Sequence, residues 1–183
     1  MLLDIASKQG EFVYAVYKKF GKEVANKFYS IPTSKIAYEF TRKVYKLLEL
    51  DVNLIEANYT SYDLINENKF IEKETIKINN QKMKFNVIVG NPPYQQSGVA
   101  RDEPIYQYFY DFSENLSEKY ILISPARFLF NAGQTSKIWN EKMLSDKHLK
   151  VVLYEQDSSK LFEHTDIKGG LANEFSMENA VGI

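Results

Sequence analysis

Apolar positions along this chain recur with two different periods, and the switches between them mark out its elements. Leu2-Leu3-Asp4-Ile5 reads as the end of a strand, and residues 6–10 as a loop. From Glu11 the residues Phe12, Val13, Val16, Tyr17 and Phe20 fall at helical spacing, and Gly21 marks the end. Lys27 to Ile31 predicts a second strand. Pro32-Thr33-Ser34 supplies a turn and a cap for a helix carried by Ile36, Ala37, Phe40, Val44, Leu47 and Leu48. Asn53 to Glu56 is a third strand candidate. Strand, helix, strand, helix, strand is the pattern of a doubly wound α/β fold with a parallel sheet.

The second half continues it less regularly. Thr75 to Ile78, Asn79-Asn80 and Met83 onward predict a hairpin that leads into a strand over Phe85 to Val89. Gln95 to Asp102 is polar, with the composition of a flexible segment. Ile105, Tyr106, Phe109, Phe112 and Leu116 predict a helix, and Tyr120 to Ser124 a strand ended by Pro125. Phe128 to Gly133 is apolar and then breaks. Ile138, Trp139, Met143 and Leu144 give a short helix, and Val151 to Glu155 a last strand. Residues 173–183 show little periodicity and are expected to be an irregular tail behind one domain over 1–172.

Composition narrows the function without deciding it. A length of 183 residues, 44% hydrophobic and 26% charged, suits one soluble domain with a real core. A net charge of −1 argues against a strongly basic nucleic-acid binder, though a local basic patch can hide in a neutral total. No cysteine is present, so there is neither a disulfide framework nor a thiolate metal site, compatible with a cytoplasmic location. The two histidines, His148 and His164, lie too far apart in sequence to suggest a metal cluster, and no metal is expected. No apolar run approaches the length that crosses a membrane.

Chemistry concentrates where the strand over Phe85 to Val89 stops. Gly90-Asn91-Pro92-Pro93-Tyr94 continues neither a strand nor a helix, because two prolines fix the backbone and remove two N–H donors. In an open α/β sheet, ligands bind at the carboxyl ends of the strands. An amino group on an aromatic ring is a poor nucleophile, since its lone pair is delocalised. Two acceptors for its N–H groups, the Asn91 side-chain oxygen and the Pro92 carbonyl, would favour the pyramidal nitrogen of a transition state. Tyr94 could stack on a base. The first strand-to-helix turn, Asp4 to Phe12, carries one glycine rather than the three of the dinucleotide fingerprint, so it reads equally as a cofactor loop or a bare turn.

Val89-Gly90-Asn91-Pro92-Pro93-Tyr94 resembles the signature of S-adenosylmethionine-dependent N6-adenine DNA methyltransferases, gamma-type methylases of bacterial restriction–modification enzymes. The resemblance extends to Ser124-Pro125-Ala126-Arg127-Phe128-Leu129-Phe130-Asn131-Ala132-Gly133 and to Lys160-Leu161-Phe162 and Lys168-Gly169-Gly170. It implies a Rossmann-like methyltransferase fold with helices on both faces of the sheet. It also implies S-adenosylmethionine as cofactor and double-stranded DNA containing adenine as partner, with the base flipped out of the helix. Asn91, Pro92, Pro93 and Tyr94 would be catalytic. Asp4, Ala6, Gly10, Phe12, Asn58 and Tyr59 would bind the cofactor, and Tyr94 and Phe162 would hold the base, Phe162 reading equally as a core anchor.

Several positions depart from that pattern. The family usually has glycine where this chain has Lys8 and often proline where it has Ile5. No carboxylate follows the second strand, and Asn58 stands where an aspartate is common. The resemblance implies an incomplete fold, truncated at both ends and without the target-recognition region. Weak cofactor binding is the expectation. An inactive fragment is one alternative, and an RNA or protein-glutamine methyltransferase, which share Asn-Pro-Pro-Tyr, is another. Arg127 reads either as a phosphate contact or as a strand-end cap.

Overall fold

The computed structural model describes residues 1–66, 70–98, 102–162, 167 and 169–177. The chain enters on β1 (Leu2–Ser7) and passes through α1 (Glu11–Phe20) and the single turn α2 (Lys22–Ala25) to β2 (Phe28–Pro32). Helix α3 (Lys35–Leu47) follows, started as its sequence predicts by Ser34, whose hydroxyl accepts the Ala37 N–H at 3.1 Å. Next come α4 (Ser61–Asn66) and a small separate sheet of β3 (Ile71–Glu72), β4 (Thr75–Ile78) and β5 (Gln81–Met83). Strand β6 (Val87–Gly90) leads into the Asn-Pro-Pro-Tyr loop and a short ribbon, β7 (Gln95–Gln96) with β8 (Glu103–Pro104). The remainder is α5 (Tyr106–Leu116), β9 (Lys119–Pro125), α6 (Lys137–Ser145), β10 (Lys150–Glu155) and β11 (Leu171–Met177).

The main sheet runs β10-β11-β9-β6-β1-β2. Strands β2, β1, β6 and β9 are mutually parallel, and β11 inserts antiparallel between β9 and β10. The expected doubly wound, mostly parallel α/β sheet is therefore present. Neighbouring side chains on a strand point to opposite faces. Leu3, Ile5 and Ile88 thus join one apolar cluster with Phe109 and Tyr110 of α5, while Leu2 and Val89 pack into a second with Val13 of α1 and Tyr45 of α3. The helices cover both faces because they carry the complementary stripes. The aromatic richness is mostly core: Trp139 sits edge-on to Phe128, Tyr106 and Tyr110, and its indole N–H donates to Asp111 Oδ1 at 3.3 Å.

Three expectations are corrected. Asn53 to Glu56 is not a strand: Asp51 accepts the Asn53 N–H at 2.9 Å and caps a 3-10 turn over Val52–Leu54, leaving only Ile55 to bridge Ser30. The polar segment after Tyr94 is ordered in part, since β7 pairs with β8 and Gln95 Nε2 donates to Asp102 Oδ2 at 2.7 Å. Residues 173–177 are no irregular tail. They belong to β11, registered residue for residue against β9 from Leu171↔Pro125 to Met177↔Lys119. Residues 178–183 lie outside the described ones.

Candidate functional site

Strand β6 is central, flanked by β1 and β9, so whatever follows Gly90 stands in the middle of the sheet's carboxyl edge. Glycine suits this point: a Cβ at Gly90 would lie 3.0 Å from Ile5 Cγ2 on β1, tighter than side chains ordinarily pack. The prolines then hold Asn91 in place, 8% exposed, with its side-chain oxygen accepting the Tyr94 hydroxyl at 2.7 Å. Tyr94 is half-buried, and burial, helped by the charge of Glu174, pushes its phenol pKa up. It stays a donor at any ordinary pH. The Tyr94 carbonyl accepts the Ile105 N–H at 3.1 Å, tying the loop to the start of α5.

A cavity of about 790 Å³ opens beside this loop. Its walls come from the ends of four parallel strands: Lys8 after β1, Thr33 and Ser34 after β2, Pro93 and Tyr94 after β6, and Pro125 and Arg127 at β9. Tyr62, Gln95, Tyr106 and Gln134 close its sides. This is the crevice in which open α/β sheets take their ligands. Its described lining carries two cations, Lys8 and Arg127, and no carboxylate.

Asp4 and Ala6 lie within β1 and Gly10 caps α1; all three are buried and none lines the cavity. Asp4 is fully buried, and Ala6 N–H donates to its Oδ1 at 3.1 Å. Its Oδ2 has no hydrogen-bond partner among the described residues. Burial raises the Asp4 pKa to about 8, against the lowering effect of that hydrogen bond. Lys8 reaches out of the loop between β1 and α1 until its ammonium lies 5.9 Å from the centroid of the Tyr94 ring, within cation–π range. Burial lowers its pKa, opposed by Glu11 and Asp4.

Four of the residues assigned by resemblance lie elsewhere. Phe12 packs into the apolar cluster beneath α1 and α3. Tyr59 is buried, stacks on Phe70 with ring centroids 4.0 Å apart, and donates its hydroxyl to the Lys77 carbonyl at 2.5 Å. Asn58 is exposed, its N–H bound by the buried Glu56, which also holds Asn79 N–H. Phe162 is half-buried after a 3-10 turn, its N–H bonded to the Ser158 carbonyl at 3.0 Å, and does not line the cavity. Glu163, His164 and Lys168 lie outside the described residues. Tyr62, Tyr106 and Gln134 line the cavity without having been singled out. Tyr106 reads as a core position in the α5 stripe, and no local pattern marks the other two.

Comparison with known proteins gives the site a context. Residues 26–162 match the family described as Eco57I restriction-modification methylase. The chain belongs to that family. The adenine-methylase resemblance read from Gly90 to Tyr94 is thereby borne out. An adenine-specific methylase, itself uncharacterized, of Mycoplasma pneumoniae is 33% identical over 126 residues, which are 66% of this chain and 30% of the relative. Among solved structures, the methyltransferase subunit of a type I restriction-modification system from Streptococcus thermophilus superposes with a TM-score of 0.64 at 12% identity, over 99% of this chain and 40% of that one. An O-methyltransferase from Bacillus cereus, solved with SAH, gives 0.55 at 11% identity over 96% of this chain and 73% of that one. These two share the fold. The chain spans about 30% of the length of its curated relative.

Proposed function

We propose that this chain is the catalytic core of an S-adenosylmethionine-dependent DNA methyltransferase that modifies the N6 amino group of a flipped adenine in a restriction–modification system. The observation that carries the reading is Asn91, a buried amide acceptor rigidly presented at the middle of the sheet edge, with an aromatic ring hydrogen-bonded to it and a large cavity in front. One observation near the β1 side of that cavity suits a nucleoside donor: Asp4, buried in β1 behind the lining residue Lys8, has an oxygen without a partner among the described residues. Asp4, Ala6 and Gly10 with the neighbouring Thr33 would hold the cofactor, which supplies an electrophilic methyl group on a sulfonium. Asn91 Oδ1 and the Pro92 carbonyl accept the two N–H bonds of the adenine amino group and favour its pyramidal, nucleophilic form. An amide oxygen has two acceptor sites, so Asn91 can take a substrate N–H beside the Tyr94 hydroxyl. The Tyr94 ring stacks on the base. As the nitrogen bonds to the methyl carbon the carbon–sulfur bond would break to leave a neutral thioether, and the strongly acidic methylated nitrogen would lose one proton to water, so positioning outweighs acid–base catalysis in this displacement.

Lys8 works against loading. Its ammonium lies over the ring on which the base would stack, and the methyl donor must approach the same place to meet the nitrogen. Two cations within a few ångströms in a partly screened site repel by on the order of 1–2 kcal/mol. Calorimetry of the purified chain should accordingly show weak S-adenosylmethionine binding, and Lys8→Gly should bind roughly tenfold more tightly. Equal affinity in the two proteins would remove Lys8 as the obstacle. Tritiated methyl transfer to adenine-containing DNA then tests the reaction. If neither protein binds the cofactor at millimolar concentration, the chain is an inactive member of its family.

A further inference from the structure

Arg127 is the cavity residue for which the proposed reaction has no use. It lies two residues past the end of β9, in a 3-10 turn over Ala126–Phe130, and its guanidinium makes no hydrogen bond or ion pair to a described residue. Its backbone is held from both sides: the Arg127 carbonyl accepts Ala132 N–H at 3.0 Å, and the adjacent Ala126 N–H donates to Gly170 at 3.1 Å. Its stem is confined too. At Gly169, whose φ is +89°, a Cβ would stand 2.6 Å from Arg127 Cγ, and a Cβ at Gly133 would lie 3.4 Å from Arg127 Cβ. Glycine at 169 therefore admits the stem as well as the left-handed backbone. A planar, permanently charged donor fork thus stands in the cavity wall, with no acid among the described lining residues to neutralise it.

The sheet order says which half of the cavity this is. Carboxyl ends run β2, β1, β6, β9, with adjacent strands ~4.8 Å apart. The cofactor loop after β1 lies on one side of Asn91, and Arg127 lies on the other. That is the acceptor's side.

Resting on the proposed adenine chemistry, we infer that Arg127 is an anion site for the phosphodiester next to the base held by Asn91 and Tyr94, and so selects a nucleic acid as substrate. A guanidinium fork matches phosphate oxygens two at a time. A protein glutamine presented to the same acceptors would bring no charge and leave Arg127 unmatched. Nucleic acid is favoured over a protein amide for that reason.

The test is fluorescence-anisotropy titration of the full chain with a short adenine-containing DNA duplex, without cofactor, from about 50 to 200 mM salt. Arg127→Gln should lower affinity roughly 5- to 10-fold at the low end and reduce the slope of log K against log salt by about 1. Arg127→Lys should keep the slope. Gly169→Ala should behave like Arg127→Gln, because the new methyl displaces the stem. Circular dichroism confirms folding of each variant. An unchanged slope in Arg127→Gln, or no DNA binding by the wild type at low salt, overturns the assignment. So does an Arg127-dependent affinity for a glutamine peptide in place of DNA, or for S-adenosylmethionine with the DNA slope intact. A wild-type slope in folded Gly169→Ala overturns the pinned geometry. Arg127-dependent DNA binding without methyl transfer supports the site while sinking the reaction.

Discussion

Asn91→Ala should lower methyl transfer by at least ~10²–10³-fold, the usual effect of deleting one preorganised hydrogen-bonding group that acts on the transition state. The residue contributes little else. Its side chain holds no strand or helix together, and the hydroxyl it releases belongs to the half-buried Tyr94, which water can reach. The backbone course is set by Pro92 and Pro93 on one side and by the packing of Gly90 against Ile5 on the other. Melting temperature and cofactor affinity should therefore stay near wild type while kcat/KM collapses. Asn91→Asp keeps an oxygen acceptor and should recover part of the rate. Retained turnover in Asn91→Ala would remove the amide from the mechanism. A parallel loss of stability would show that Asn91 is a structural residue instead.

What could be read in the sequence divides along a physical line. Local signals carried well: Ser34 before an amphipathic run gave α3 its start, and Gly90-Asn91-Pro92-Pro93 had to end a strand. The site loop was legible for the same reason, since its chemistry is contiguous. Tyr62 and Gln134 reach the cavity only through the fold, and nothing in their neighbourhoods distinguishes them. Tyr59 shows the opposite failure: its place beside Asn58 suggested a cofactor contact, but stacking on Phe70 and a bond to Lys77 take it into the core. Strand β11 was missed because Asn173, Glu174 and Ser176 make it look like a polar tail. Glu174 and Ser176 are buried, in a strand covered on both edges by β9 and β10. The residue that accommodates Glu174 is Tyr110, 64 positions earlier, which no local pattern can disclose.

That buried carboxyl should make the protein's stability fall as pH rises. Glu174 Oε2 accepts the Tyr110 hydroxyl and, at 3.4 Å, that of Ser124, while Oε1 has no partner among the described residues. Burial raises its pKa to about 8, more than the two hydrogen bonds lower it. Asp4 is raised to about 8 for the same reason. In the unfolded chain both groups ionise near their ordinary values of 4.5 and 3.8. Between those values and about 8 the native state holds protons that the unfolded state has lost, so unfolding free energy decreases with pH. The contribution is complete below the unfolded pKa values and is lost as pH climbs through the folded ones. One fully shifted group changes stability by ~1.4 kcal/mol per pH unit, which places the loss from pH 5 to 8 at several kcal/mol. Glu174→Gln keeps an acceptor for Tyr110 and cannot ionise. Its urea-unfolding free energy should decline over pH 5–8 with about half the wild-type slope, Asp4 supplying the remainder, and at pH 8 the variant should be the more stable protein. Parallel pH profiles for the two proteins would mean that Glu174 is charged in the native fold, with β11 open enough to let water reach it.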